Sequence, residues 1–310
     1  MTQVSIIIET VTLRFDHDHG PLADAVASTI AAVERQTYPR DRFEILLVLD
    51  GAAGETLVAD LRRRYPAVRL VLGAVPNYFA EKNAGVAAAR GAIVAFLDGD
   101  CVPDPTWLSS LVAAFENGAE VVTGRTRYEG RSFSARTFSV PDFGTVAEEQ
   151  GASSGIMLNN VAFPRELALR HPLDARIRRN GGCYLLFHQL RAEGVRVTYA
   201  PEAVVSHGLD VAGLGFVRKH FDRGYDSVSV YRCDDTGALR GTRVFRRLGV
   251  LALPAIIARR VLLDWRHLAR KRAQIDITAL QVPYYAAVML TTRAIELCGG
   301  VIATVGGRKA

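Results

Sequence analysis

Three short runs constrain this chain more than any other feature: VSIII at 4–8, FEILLVL at 43–49 and IVAFL at 93–97. Each is rich in β-branched and aliphatic residues and lacks a clean polar alternation. Such runs read as strands covered on both faces, the pattern of a parallel sheet. Each run also stops at acidic or hydroxyl residues: Glu9-Thr10, Asp50-Gly51 and Asp98-Gly99-Asp100. Helical patterns separate them, over 22–33, 54–65 and 80–90. Strand–helix alternation at this spacing predicts a parallel, doubly wound sheet with right-handed crossovers. The carboxyl ends of its strands then share one edge, where open α/β sheets bind ligands. A single acidic strand end is an ordinary turn, but three on one edge predict a ligand crevice. Gly99 lets the chain turn freely between Asp98 and Asp100, so that both carboxylates can converge on one cation or one ligand.

Downstream, a helix is predicted over Trp107–Glu116 and a strand over 120–125. Residues 127–150 are polar and irregular, as a mobile active-site loop would be. Apolar character resumes over 155–163 through Asn159-Asn160. A helix from Cys183 to Glu193 ends at Gly194, a natural C′ residue. Val195–Tyr199 is then a strand, and Pro201–His207 is expected to lead away from the sheet.

With 310 residues, 49% of them hydrophobic, the chain can bury a sizeable core. The four cysteines, Cys101, Cys183, Cys233 and Cys298, are scattered without a C-x-x-C pair. This is neither a zinc framework nor a disulfide scaffold, and it fits a reducing cytoplasm. The N-terminus enters a strand without a basic n-region, so no secretion signal is expected. The cluster Asp16-His17-Asp18-His19 has no further ligands at suitable spacing and reads as a solvated loop. Charge is unevenly placed. From Arg240 onward thirteen Arg or Lys face three acidic residues, a net of +10, and the chain's total of +6 leaves −4 for the first 239 residues. A basic, apolar tail suggests an anionic membrane surface. Nucleic acid is not expected as a partner, because no recognised RNA- or DNA-binding pattern accompanies the charge.

The ordered set VSIIIET, QTYP, FEILLVLDG, EKNAG, ARGAIVAFLDGDCVPDPTWL, NNVAFPRE and LRAEGVRVTYAPEAVVSHG resembles the GT-A glycosyltransferases of the family-two type over roughly residues 4–230. The resemblance implies a GT-A fold: a Rossmann-like, mixed, mainly parallel sheet flanked by helices, with a C-terminal helical appendage. It implies a metal-dependent, inverting enzyme that moves a sugar from a nucleotide-diphosphate sugar, a UDP-sugar in the first instance, to a glycan or lipid-linked acceptor. By position, Thr10 and Asp50 would contact the base, Lys82 and Asn83 the base and diphosphate, and Asp98 the ribose. Asp100 and His207 would hold Mg²⁺ or Mn²⁺ at the diphosphate. A hard divalent cation with carboxylate ligands suits a departing nucleoside diphosphate, whose negative charge it stabilises.

The resemblance fails where the family places its Glu-Asp catalytic base. Counting back from Leu190-Arg191-Ala192-Glu193-Gly194, that pair falls on Gly182-Cys183. The candidate bases are then Asp142, Glu148, Glu149 and His188, with Cys183 at the family's base position. A nucleotide-sugar-binding protein without ordinary turnover is the alternative reading. Residues 1–232 are expected to form the transferase domain and 233–310 a basic, apolar helical region. The uncharged stretch Thr278–Thr292 is 15 residues long before Arg293. That is shorter than the roughly 20 a span needs. Residues 244–305 are therefore expected to contact a membrane surface, at the inner face of the cell membrane, or else to pack on the catalytic domain or pair in a homodimer.

Overall fold

The computed structural model describes residues 3–15, 21–129, 148–149, 152–208, 214–271 and 277–306. The chain divides into two compact units. The first comprises Met1–Arg127, Val146–Arg178 and Glu193–Gly208, and the second Tyr128–Thr145, Arg179–Ala192 and Leu209–Ala310.

In the first unit the order is β1 (Val4–Glu9), α1 (Val11–Phe15), α2 (Leu22–Ala25), α3 (Ala27–Glu34), β2 (Phe43–Leu49), α4 (Glu55–Arg64), β3 (Val68–Leu72), α5 (Tyr78–Ala88), β4 (Ile93–Asp98), β5 (Cys101–Pro103), α6 (Trp107–Glu116) and β6 (Val121–Glu129). There follow β7 (Glu148–Glu149), β8 (Ala152–Ser153), β9 (Val161–Pro164), α7 (Arg165–Arg170) and, after an excursion into the second unit, β10 (Val197–Gly208). Eight strands form one mixed sheet in the order β3-β2-β1-β4-β9-β6-β10-β5, while β7 and β8 pair separately. The β3-β2-β1-β4 half is parallel, and the β4-β9, β9-β6 and β10-β5 pairings are antiparallel. All six residues of β1 are buried, as a strand covered on both faces must be. Its register aligns Glu9 with Val48 on one side and with Asp98 on the other. The three strand ends therefore do lie side by side on one edge.

Helix α5 is set by Asn77, whose side chain accepts from the Phe79 and Ala80 amides as an N-cap. At Gly85 an added Cβ would sit 2.3 Å from Ile7 Cγ2, so the helix lies flat on β1 only because that position is glycine. Helix α6 is anchored by Trp107, fully buried, whose indole donates to Asn160 Oδ1 at 2.9 Å. One expectation is overturned: Pro201–His207 does not leave the sheet. Residues 197–208 form one continuous strand, with Val205–His207 paired to β5. Pro201 is exposed and lies outside that ladder, so its missing N–H costs no hydrogen bond to β5.

The second unit contains α8 (Gly182–Ala192), α9 (Leu214–Cys233), α10 (Arg240–Leu248), a 3₁₀ turn (Gly249–Ala252), α11 (Leu253–Lys271) and α12 (Val282–Val305). Pro254 does not break the apolar segment; it sits in the first turn of α11, where a proline is tolerated. Helices α9 and α12 approach closely at reciprocal glycines. A Cβ at Gly224 would lie 1.9 Å from Glu296 O, and one at Gly299 would lie 2.1 Å from Phe221 O. Arg293 donates to both carboxylate oxygens of Asp264, at 2.7 and 2.8 Å, and to Glu296 Oε2 at 2.5 Å. Arg260 reaches Glu296 at 3.2 Å, and His220 Nδ1 lies 3.5 Å from it. This network corrects the expected end of the apolar stretch at Thr292. The helix continues to Val305 because Arg293 and Glu296 turn inward to partners. Residues 279–305 are long and apolar enough to cross a membrane by length and composition.

Candidate functional site

The edge formed by β1, β2 and β4 carries an unusual density of buried charge. Glu9, Glu81, Lys82 and Asp98 are all buried, with Lys82 fully so. Lys82 Nζ donates to Asp98 Oδ1 at 2.7 Å and to the Leu158 carbonyl at 3.2 Å, beneath the ring of Tyr78 at 4.6 Å. The Tyr78 hydroxyl donates to the same carboxylate, at 3.0 and 3.1 Å. Positions 78 and 82 are one turn apart on α5, so both reach Asp98 from the same helix face. Asp98 is thereby fixed in orientation and paired with a buried lysine.

Glu81, from the adjoining face of α5, accepts the Thr10 amide at 3.0 Å. Glu9 accepts the Thr12 amide at 3.2 Å and hydroxyl at 2.6 Å. Burial and the negative charge of Asp98 push the Glu9 carboxyl up to about 8, against the opposing pull of Lys82 and Thr12. The proton held by Glu9 reduces the negative charge gathered beside Asp98 and Lys82.

At the end of β4 the chain must pass close to β1. An added Cβ at Gly99 would lie 2.8 Å from Glu9 O. The glycine thus serves close approach, not a left-handed backbone. Beyond it, Asp98, Asp100, Cys101 and His207 place one ligand-type atom each within 4.8 Å of one another. His207 Nε2 lies 3.8 Å from Asp100 Oδ2, brought there by the β10-β5 pairing that sets His207 opposite Cys101. Two carboxylates with an imidazole suit Mg²⁺ or Mn²⁺. Asp98 accepts from Lys82 and Tyr78, while Asp100 and His207 approach each other across the strand pair. Cys101 is fully buried, and burial, reinforced by Asp100 and Asp98, holds its thiol well above its ordinary range. It is a packing thiol that receives the Asn159 amide at 3.7 Å.

The remaining expected residues are placed as follows. Thr10 is at the edge, but its hydroxyl donates to the Val48 carbonyl at 2.9 Å. Asp50 is half-buried at the end of β2 and accepts the Ala52 amide at 3.0 Å. Asn83 faces elsewhere, exchanging hydrogen bonds with the backbone of Leu173 at 2.8 and 2.9 Å. Of the candidate bases, Asp142 lies outside the described residues. Glu148 and Glu149 form β7 in the first unit. His188 belongs to the second unit, edge-on to Tyr184 at 4.5 Å and to Phe187 at 5.5 Å. Burial and the Arg191 charge lower its pKa, keeping the ring neutral. Gly182 and Cys183 open α8, with no carboxylate between them. The preceding turn is held by buried Asp226, which accepts the Asn180 amide at 3.0 Å and side chain at 2.8 Å. Sequence reasoning missed Tyr78, Glu81 and the restraining role of Lys82, although the i, i+4 spacing of Tyr78 and Lys82 was a usable signal.

Residues 21–157 match the family described as glycosyl transferase family 2. A glycosyltransferase, AglE, of Haloferax volcanii is 27% identical over 150 residues, covering 47% of this chain and 46% of that protein. A dodecaprenyl-phosphate galacturonate synthase of Rhizobium johnstonii is 36% identical over 101 residues, 31% of this chain and 28% of that one. The matches thus span less than half the length of these curated relatives. A mannosyltransferase of Pyrobaculum calidifontis, solved with GDP-mannose and Mn²⁺, superposes with a TM-score of 0.61 at 17% identity, over 99% of this chain and 88% of that one. The expected GT-A architecture is borne out by that likeness.

Proposed function

With a glycosyl transferase family 2 segment set on a GT-A fold, we propose that this chain transfers a sugar from a nucleotide-diphosphate sugar to a glycan or lipid-linked acceptor, with inversion. The observation that carries the reading is the acid-rich strand edge, where Asp98, Asp100 and His207 converge beside a buried lysine. Asp100 and His207 would hold Mg²⁺ or Mn²⁺, which supplies positive charge where the departing nucleoside diphosphate gains negative charge. Lys82 and Tyr78 act through Asp98, holding its carboxylate in one orientation. Asp50 and Thr10 line the same edge, where a nucleoside would lie. The mannosyltransferase neighbour, solved with GDP-mannose and Mn²⁺, supports this class of donor.

The lipid-linked class of acceptor is supported by the galacturonate synthase relative, whose name specifies a dodecaprenyl phosphate. In this reading residues 1–232 carry the transferase function, and 244–305 touch the inner face of the cell membrane. The base is drawn from Glu148, Glu149, Asp142 and His188. A second reading, donor binding without turnover, is favoured by one observation, the Gly182-Cys183 opening of α8. Incubating full-length protein with GDP- and UDP-sugars, Mn²⁺ and a panel of polyprenyl phosphates and oligosaccharides separates the two. Formation of a glycosylated product supports transfer. Metal-dependent donor binding with neither transfer nor hydrolysis supports the silent reading.

A further inference from the structure

In a water-facing helix, charged residues point outward and apolar ones inward. In the second unit α12 reverses that arrangement, and α11 does so in part. Helix α12 contains two charged side chains, Arg293 and Glu296, and both are buried in the ion network with Asp264 and His220. Its exposed positions include Tyr284, Ala287, Leu290, Ala294, Cys298 and Ile302, none of them charged. They recur every three or four residues and so form one stripe, roughly 27 Å long at 1.5 Å per residue. Leu290 and Ile302 are 52% and 53% exposed. Helix α11 does so in part: Asp264 is buried and Arg260 turns toward Glu296, while Leu262 and Trp265 are 62% and 40% exposed beside the exposed Arg259 and Arg266.

Such faces leave burial energy unused in water, because each of these half-exposed side chains forgoes part of the roughly 1.5–3 kcal/mol that full burial supplies. The neighbouring surface identifies what covers them. Arg243 and Arg247 on α10, and Arg259 and Arg266 on α11, are exposed, within a segment that carries net +10 from Arg240 onward. A second copy of the same surface would bring like charges together, whereas an anionic bilayer complements both the charge and the apolar stripe.

Crossing the bilayer is disfavoured by the company α12 keeps. Its inner face packs against α9, which bears Arg218, Lys219, Asp222, Arg223 and Asp226. Carrying those charges to the bilayer centre costs about 2.5–3.5 kcal/mol each on insertion scales. We propose that α11 and α12 form a one-sided membrane-docking surface: their apolar faces lie in the headgroup region of an anionic bilayer, their charged inner faces stay sealed against the unit, and neither helix spans. This rests on the membrane contact proposed for residues 244–305 and adds its face, its orientation and its lipid chemistry.

The test uses full-length protein without nucleotide and vesicles of phosphatidylcholine with or without 30% phosphatidylglycerol. The two tryptophans are a built-in reporter, since Trp107 is fully buried and Trp265 is exposed. Cosedimentation with phosphatidylglycerol vesicles, and quenching of Trp265 by phospholipids brominated on the acyl chains, are the expected results. Arg243→Gln with Arg247→Gln should weaken partition about 30-fold, at roughly fivefold per arginine removed. Leu290→Glu with Ile302→Glu should abolish it while leaving the circular dichroism spectrum unchanged. Arg293 remaining inaccessible to phenylglyoxal on bound vesicles supports the sealed inner face. Failure of the wild-type protein to bind any vesicle overturns the membrane contact itself. Binding that survives Leu290→Glu with Ile302→Glu overturns the assigned face alone. A dimer in lipid-free solution that these two substitutions dissociate assigns the stripe to a second copy and likewise overturns the proposal.

Discussion

Among the described residues, each unit buries a cluster of ionisable side chains, and the two are built to opposite rules. In the first unit buried Glu9, Glu81 and Asp98 gather beside Lys82, which pairs with Asp98, with Asp100 nearby. In the second, Asp264 and Glu296 face Arg293 and Arg260, with His220 alongside. A buried glutamate reports the difference in each case. Burial raises Glu9, and Asp98 adds to the rise. Burial alone would raise Glu296 too, but the His220 hydrogen bond and the charges of Arg293 and Arg260 outweigh it and hold the carboxyl well below its ordinary range. A balanced cluster is complete as folded and serves structure. A cluster in which burial and a neighbouring acid hold a carboxyl protonated is suited to take up a cation, as a ligand site does.

The largest expected effect breaks the first cluster. Lys82→Met leaves buried carboxylates without their cation and should cost about 3–5 kcal/mol. Chemical denaturation should show a midpoint lowered by that amount, and an unchanged midpoint would mean that Lys82 is not the neutralising group. Arg293→Met breaks the second cluster at a similar cost, about 3–5 kcal/mol. There, replacing Asp264, Arg293 and Glu296 together by apolar residues should restore most of the loss and leave nucleotide binding intact. The equivalent apolar replacement at Asp98 and Lys82 should eliminate that binding. If both replacements leave binding intact, the distinction between the clusters fails.

A smaller effect separates the clusters by pH. A raised carboxyl keeps its proton in the folded state at pH values where the unfolded chain has lost it. Glu9 therefore lowers stability as pH rises from about 4.5 to about 8, and its penalty is constant above. Glu9→Gln should raise Tm at pH 9 and change it little at pH 5. A lowered carboxyl works in the reverse sense: Glu296 contributes above its ordinary value of 4.5, and that contribution is lost only as strong acid protonates it. Glu296→Gln should lower Tm alike at pH 5 and pH 9. Identical pH profiles for the two variants would contradict the assignment. Smallest of all is Arg63→Ala. It removes an exposed i, i+3 pair with Asp60 and should shift stability by less than about 0.5 kcal/mol.

The sheet edge was legible because its strands are written in residue types that admit few alternatives. Val4–Glu9, Phe43–Leu49 and Ile93–Asp98 are apolar runs ended by acids, and parallel pairing aligns those ends without further information. The hydrogen-bonded state of the site was not legible. That Lys82 is spent on Asp98, and Asn83 on Leu173, depends on where α5 lies over β1, which Gly85 and Ile7 decide through tertiary contact. The tail was misread at Arg293 for a related reason. A charge in an apolar run looks like an interruption until its partner, Asp264, is placed 29 positions away.

Calorimetric titration with GDP- and UDP-sugars, in the presence and absence of Mn²⁺, tests most directly whether the acid-rich cluster is the donor site. The wild-type protein should bind a nucleotide sugar only with Mn²⁺. Asp100→Asn should lose that binding, and Glu296→Gln should keep it. Equal binding without the metal, or undiminished binding by Asp100→Asn, would contradict the account.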